Sequence, residues 1–119
     1  MTWAELHGQS ETLAADAELA SRAGDSERAK LLYAQAAEWE EQALGTVESS
    51  KSRTLGITAV SAVALWNKAQ RFDKAEHLTA EYFGRVPPFA QDQLGELSAG
   101  LRKRSAESAA ESVRRSDVA

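Results

Sequence analysis

Cysteine is absent from this chain of 119 residues, and proline occurs only twice. Without cysteine, the protein has no disulfide, no catalytic thiolate and no cysteine-based zinc site. The two prolines and seven glycines interrupt few positions, and the chain is rich in Ala, Leu, Glu, Lys and Arg, which favour helix. We therefore predict a nearly all-α protein.

Long apolar runs are also missing from the sequence. No stretch approaches the ~18 consecutive apolar residues of a membrane-spanning helix, and the first five residues lack the basic start and apolar run of a secretion signal. We expect a cytoplasmic protein with no membrane partner. A chain of this length forms one domain, which is too small to hold separate catalytic and binding domains.

Catalytic and metal-binding motifs are scarce as well. The only histidines, His7 and His77, lie in no HExxH motif, and the chain has no glycine-rich phosphate loop and no nucleophile elbow. Asp73, His77 and Glu81 share a helix face at four-residue spacing, but this pattern is common on solvated helix surfaces. The sequence therefore predicts no enzyme, no cofactor and no metal site.

Acidic and basic side chains are unevenly distributed. Residues 1–50 carry ten acidic and three basic side chains, whereas residues 51–119 carry eight acidic and eleven basic ones. The net charge of −4 argues against nucleic acid as a partner, and the two halves could attract each other within a chain or between chains. We assign three carboxylates to a charged outer face, with Trp39 beside them as a candidate surface anchor for a partner. These are Glu38, Glu40 and Glu41.

Hydrophobic periodicity predicts five helices. The first begins near Ser10, its candidate N-cap, and stops at Gly24, where the missing Cβ permits the left-handed conformation that ends helices. Ser26 is the expected cap of the second helix. The remaining helices are predicted over about 26–48, 53–69, 73–84 and from about 89 onward, with a polar joint at 48–52. We assign residues 1–104 to the helical domain and residues 105–119 to an exposed helical or frayed tail.

An internal repeat is the most informative feature of the chain. Segment 23–34 recurs 46 residues later as segment 69–80, each time between two apolar helical patterns. This indicates a repeated unit of helix, tight turn and helix. Because a helical hairpin cannot bury its apolar stripe alone, such hairpins usually stack and present a surface that binds other proteins. The leucine side of the fifth helix is the expected cap of this stack.

The residues around the two turns resemble the tetratricopeptide repeat (TPR). The first copy places four residues at the offsets found in that family, namely Gly24, Ala29, Tyr33 and Ala36. The second copy has Gln70 in place of the glycine, but it carries other elements of the pattern, namely Trp66, Phe72, Ala75 and Pro87. The spacing of 46 residues departs from the family's usual length of about 34. The resemblance implies antiparallel helical hairpins, here two TPR-like repeats, followed by a C-terminal capping helix.

The resemblance also implies a binding groove. TPR-like domains bind a peptide or helix of a partner on the concave surface formed by the first helix of each hairpin. We therefore predict a partner-binding groove lined by Arg53, Ile57, Val60, Ala64, Asn67 and Lys68. Its lining is mostly apolar, with Asn67 and Lys68 available to bind a backbone group or a carboxylate. The alternative is that Ile57 and Val60 pack beneath the fifth helix as core residues.

The sequence thus predicts a protein–protein interaction module, an adaptor or regulator that binds a peptide or helix of another protein. Two alternatives stay open, a structural homo-oligomer and a helix-binding bundle similar to the microtubule-interacting and trafficking domains. A DNA-binding regulator has less support, because segments 102–104 and 114–115 are the only basic clusters.

Overall fold

The computed structural model describes residues 1–100, which form five helices and no strand. The helices are α1 (Trp3–Arg22), α2 (Ser26–Gly45), α3 (Ser52–Lys68), α4 (Phe72–Tyr82) and α5, which is helical from residue 88 to residue 100, where the described part ends. A single turn of 3-10 helix, Phe83–Arg85, follows α4. The protein is therefore all-α, as predicted. The predicted tail, 105–119, lies outside the described residues.

Helix α1 begins seven residues earlier than the sequence analysis predicts. Its N-cap is Thr2, whose hydroxyl accepts from the Glu5 N–H at 3.2 Å, while the Glu5 carboxylate accepts from the Thr2 N–H at 3.1 Å. This reciprocal capping box satisfies two N–H groups at the start of the helix. The prediction of an N-cap at Ser10 is wrong, because that residue lies inside α1 and is buried.

The two interhelical turns have the same backbone geometry. Gly24 ends α1 with a φ of +83°, and Gln70 ends α3 with a φ of +60°. In each turn the next residue donates its N–H to a carbonyl five positions earlier, at 2.9 Å, from Asp25 to Ala20 and from Arg71 to Trp66. This bonding is that of a Schellman motif, in which a left-handed residue satisfies the last carbonyls of a helix. The left-handed turn predicted at Gly24 is confirmed, and Gln70 adopts it without being glycine.

The second helix begins and ends close to its predicted bounds, with two differences. The N-cap is Asp25, whose carboxylate accepts from the Arg28 N–H, and Ser26 is the first helical residue. The helix ends at Gly45, three residues before the predicted end, and segment 46–51 forms the polar joint. Each helix packs against the next from α1 to α4, which agrees with the predicted antiparallel hairpins.

The core combines many alanines with a few large side chains. Ala36, Ala59, Ala62 and Ala75 are completely buried, so the helices that carry them approach closely. The largest fully buried side chains are Trp66, Leu44, Leu55, Leu78 and Leu94. Since Leu94 belongs to α5, that helix covers the end of the stack, as the leucine pattern predicts.

Helix α5 reaches α3 at a glycine. A Cβ placed on Gly56 would lie 2.9 Å from the Cβ of Ala90 and 3.1 Å from side-chain carbons of Pro87 and Phe89. Real Cβ atoms do not approach other carbons this closely, so only glycine permits the contact. Beyond this contact the two helices leave room between them, and that space is the candidate site.

Candidate functional site

A groove of about 630 Å³ lies between α3 and the start of α5. Its lining residues are Ser52, Arg53, Ile57, Val60, Ser61, Pro87, Phe89 and Gln93. Arg53, Ile57 and Val60 come from the predicted groove, whereas the residues of α5 and the segment before it were not predicted. The volume is within the usual range of about 300–1,000 Å³ for ligand-binding pockets.

The apolar walls of this α3–α5 groove remain accessible. Ile57 is 49% exposed and Phe89 is 40% exposed, and both are among the few large apolar side chains with such exposure in residues 1–100. Val60 is half-buried and packs against the core. The alternative that both side chains are core residues therefore holds in part for Val60, which packs against the core. It does not hold for Ile57, because about half of that residue's surface is accessible to an occupant of the groove.

The other residues of the predicted groove lie elsewhere. Ala64 is half-buried, Asn67 is buried, and neither lines the α3–α5 groove. Lys68 is exposed, with its Nζ 5.5 Å from the centre of the Tyr33 ring on α2, a cation–π geometry. Trp39, the candidate surface anchor, is half-buried on α2.

Arg53 gives the groove its charge. Among the described residues that line the groove, Arg53 alone is charged, and its side chain is exposed. Within residues 1–100, no carboxylate forms an ion pair with Arg53. An exposed guanidinium beside apolar walls can bind a carboxylate through two parallel hydrogen bonds.

Ser61 connects the groove to a buried carboxylate that the sequence analysis places wrongly. Its hydroxyl donates to Glu40 Oε2 at 2.6 Å. Glu40 is 1% exposed, so it belongs to the interior and not to the charged outer face predicted for it. The available signal was its position, because Glu40 lies on the buried stripe of α2 with Ala36, Ala37 and Ala43.

His7 pairs with this buried carboxylate from α1. Its Nδ1 lies 2.8 Å from Glu40 Oε1, and its Nε2 lies 2.9 Å from Glu11 Oε1. Both ring nitrogens face carboxylate oxygens, and in the imidazolium form both donate to them. Burial lowers the pKa of His7, but the bonds to Glu40 and Glu11 outweigh burial and leave that pKa above its ordinary value.

Trp3 fixes the position of the His7 ring. The two rings stack with centres 4.7 Å apart and planes inclined by 10°. The indole Nε1 donates to Thr58 Oγ1 at 3.2 Å, and that hydroxyl donates to the Thr54 carbonyl at 2.7 Å. Polar contacts thus join α1 to α2 through His7 and Glu40, α2 to α3 through Glu40 and Ser61, and α1 to α3 through Trp3 and Thr58.

Residues 1–100 contain neither a membrane-spanning helix nor a cluster of metal-ligating side chains. No helix in this part of the chain is long and apolar enough to cross a membrane. No group of three or more His, Asp or Glu side chains there is arranged to hold a metal ion, and this includes the Asp73, His77 and Glu81 face of α4.

Comparisons with protein-family models, curated proteins and solved structures find no match to this chain. The resemblance to the TPR therefore rests on the residues of the two repeats. Any statement about function has to come from the site itself.

Proposed function

We propose that this protein is an interaction module that binds a segment of a partner protein in the α3–α5 groove. The observation that supports this proposal is the pair of exposed apolar side chains, Ile57 and Phe89, that lie in one groove with hydrogen-bonding groups around them. Apolar surface that is rimmed by polar groups is typical of binding sites. We further propose that the protein works in the cytoplasm as an adaptor or regulator.

The chemistry of the groove favours binding over catalysis. Its lining contains no histidine and no carboxylate that could act as a general base. The Ser61 hydroxyl does contact a carboxylate, but Glu40 is paired with the His7 imidazolium. Glu40 itself is 1% exposed and does not line the groove, so an occupant of the groove does not reach it.

Affinity capture with two matched variants tests the proposal. Ile57→Glu places a charge on the groove wall, whereas Leu31→Glu places the same charge on another exposed aliphatic side chain, on α2. A protein captured from an extract of the source cells by the wild type and by Leu31→Glu, but not by Ile57→Glu, would support the groove. Circular dichroism has to show the same helix content for all three proteins. Equal capture by both variants would contradict the proposal.

A structural homo-oligomer is the second candidate. Two exposed leucines favour it, Leu19 at 63% and Leu31 at 66%, both within the acidic residues 1–50. Either leucine could contact another copy, and the acidic charge of residues 1–50 is complementary to the more basic second half of the chain. Sedimentation velocity distinguishes the two candidates, because only the second predicts a species larger than the monomer that Leu31→Glu dissociates.

A further inference from the structure

We propose that the occupant of the α3–α5 groove is a short extended segment of a partner protein, with an acidic side chain beside one or two apolar ones. This inference rests on the proposed function and specifies the partner's chemistry. The charge of the groove, its hydrogen-bonding groups and its length each support one part of it.

The charge argues for an acidic side chain in the partner segment. Arg53 is the only charged group of the lining, and within residues 1–100 it has no ion-pair partner. Residues 1–100 as a whole carry fifteen acidic and nine basic side chains. A carboxylate is therefore attracted at Arg53 and repelled by most of the remaining surface. A basic partner segment would be repelled at Arg53 and attracted to most of the remaining surface.

The hydrogen-bonding groups argue for an extended backbone. The Ser61 hydroxyl gives its proton to Glu40, so toward the groove it offers only an oxygen lone pair. The occupant must therefore present a donor to Ser61. Gln93, on the opposite wall, can donate and accept. An extended segment has free backbone N–H and C=O groups, whereas the groups inside a helix are already bonded to each other.

The length of the groove sets the length of the segment. Arg53 and Ser61 are eight residues apart on α3, which corresponds to roughly 12 Å along the helix axis. Four residues of extended chain span roughly 13 Å. Ile57 lies between these two positions and lines the groove together with Phe89. A segment with its carboxylate at Arg53 would thus place apolar side chains against Ile57 and Phe89, and an N–H near Ser61.

A peptide library provides the probe, because the natural partner is unidentified. Random twelve-residue peptides displayed on phage are selected on the full chain, with Ile57→Glu used to remove peptides that bind outside the groove. Selected peptides are synthesised in two forms, as found and with each acidic residue replaced by its amide. Affinities are measured by fluorescence polarisation with the wild type, with Arg53→Gln and with the Leu31→Glu control.

We expect the selected peptides to share an acidic residue next to an aliphatic or aromatic one. Replacing that acid by its amide should weaken binding to the wild type about three- to fivefold, the upper part of the range for an exposed ion pair. The same replacement should have little effect on Arg53→Gln. Proline should be tolerated at most positions of an extended segment, whereas a bound helix would lose affinity at every interior position.

Three outcomes would overturn the inference. If groove-dependent peptides are neutral or basic, or bind Arg53→Gln equally well, the acidic partner is wrong while the interaction module stands. If interior proline always abolishes binding, the occupant is a helix. If no peptide depends on Ile57 and the wild type sediments as a dimer that Ile57→Glu dissociates, the occupant is a second copy, and the proposal of a partner protein fails as well.

Discussion

Gly24 and Gln70 occupy the same left-handed position in two turns that lie 46 residues apart, although only one of them is glycine. The hydrogen bonds around the two residues also correspond, atom for atom, at nearly equal lengths. The two turns therefore repeat the same backbone conformation. Gln70 adopts it although residues with a Cβ disfavour a positive φ.

The turn at residue 70 offers a stabilising substitution. We expect Gln70→Gly to raise the free energy of unfolding by about 0.5–1 kcal/mol, because glycine adopts a positive φ without steric cost. Gly24→Val should lower it by about 1 kcal/mol or more, since a β-branched residue is strained there. Urea denaturation followed by circular dichroism measures both changes. A loss of stability in Gln70→Gly would mean that contacts of the Gln70 side chain stabilise the fold by more than its positive φ destabilises it.

The contact between Gly56 and Ala90 predicts an overpacked variant. Gly56→Ala should destabilise the protein by about 1–3 kcal/mol, because its Cβ would lie 2.9 Å from that of Ala90. The double variant Gly56→Ala with Ala90→Gly should be more stable than the sum of the two single effects predicts, because it no longer has the Cβ of Ala90 in this contact. Gly8→Ala is the matched control, since a Cβ there meets no atom within 4 Å. That control should be neutral or slightly stabilising, as expected for alanine inside a helix.

Removal of His7 should be costly because it leaves a buried charge. We expect His7→Ala to lower the free energy of unfolding by about 3 kcal/mol, a typical loss when one partner of a buried ion pair is deleted. The double variant His7→Leu with Glu40→Leu should be much more stable than His7→Ala, since apolar side chains of similar size can replace such a pair. Denaturant unfolding compares the three proteins. Equal stability of His7→Ala and the wild type would show that Glu40 is satisfied without the imidazolium.

The same pair predicts the direction of a pH effect. The pKa of His7 is raised in the folded protein, so its contribution is fully present below its unfolded pKa of about 6.5 and is lost as pH rises through the folded pKa. The free energy of unfolding should therefore fall as the pH rises above about 6.5. His7→Gln should flatten this dependence, because the variant has no ionisable ring to pair with Glu40 and Glu11. An identical pH profile for His7→Gln would contradict the assignment.

The helical part of the fold could be predicted because its signals are local. Apolar periodicity identifies all five helices, and the turn residues place both hairpins within a few positions. The start of α1 was missed because Ser10 and Thr2 are both plausible caps, and the choice depends on Glu5 reaching back to Thr2. The partners of Glu40 were missed because they come from two other helices, His7 from α1 and Ser61 from α3, and no local pattern brings them together.

The site was predicted only in part, for a geometric reason. Arg53, Ile57 and Val60 line the groove because α5 approaches the first half of α3, where Gly56 permits close contact. Ala64, Asn67 and Lys68 continue the same helical stripe, but beyond this crossing the second wall is not formed by α5. The opposite wall is formed by Pro87, Phe89 and Gln93. The apolar periodicity of α3 does not indicate where another helix crosses α3, so these residues could not be predicted from it.

The capping box at Thr2 has a practical consequence for how this protein is shortened or tagged. A chain trimmed to the start that periodicity suggests, at Ser10, would lose Trp3 and His7 together. The buried Glu40 would then lose its counterion, and Thr58 would lose the indole that now bonds to it. Such a trimmed chain should be prone to aggregation and protease cleavage. Trp3 and His7 connect α1 to α3 and to α2, so an affinity tag that disturbs the first ten residues should lower the measured stability of the protein.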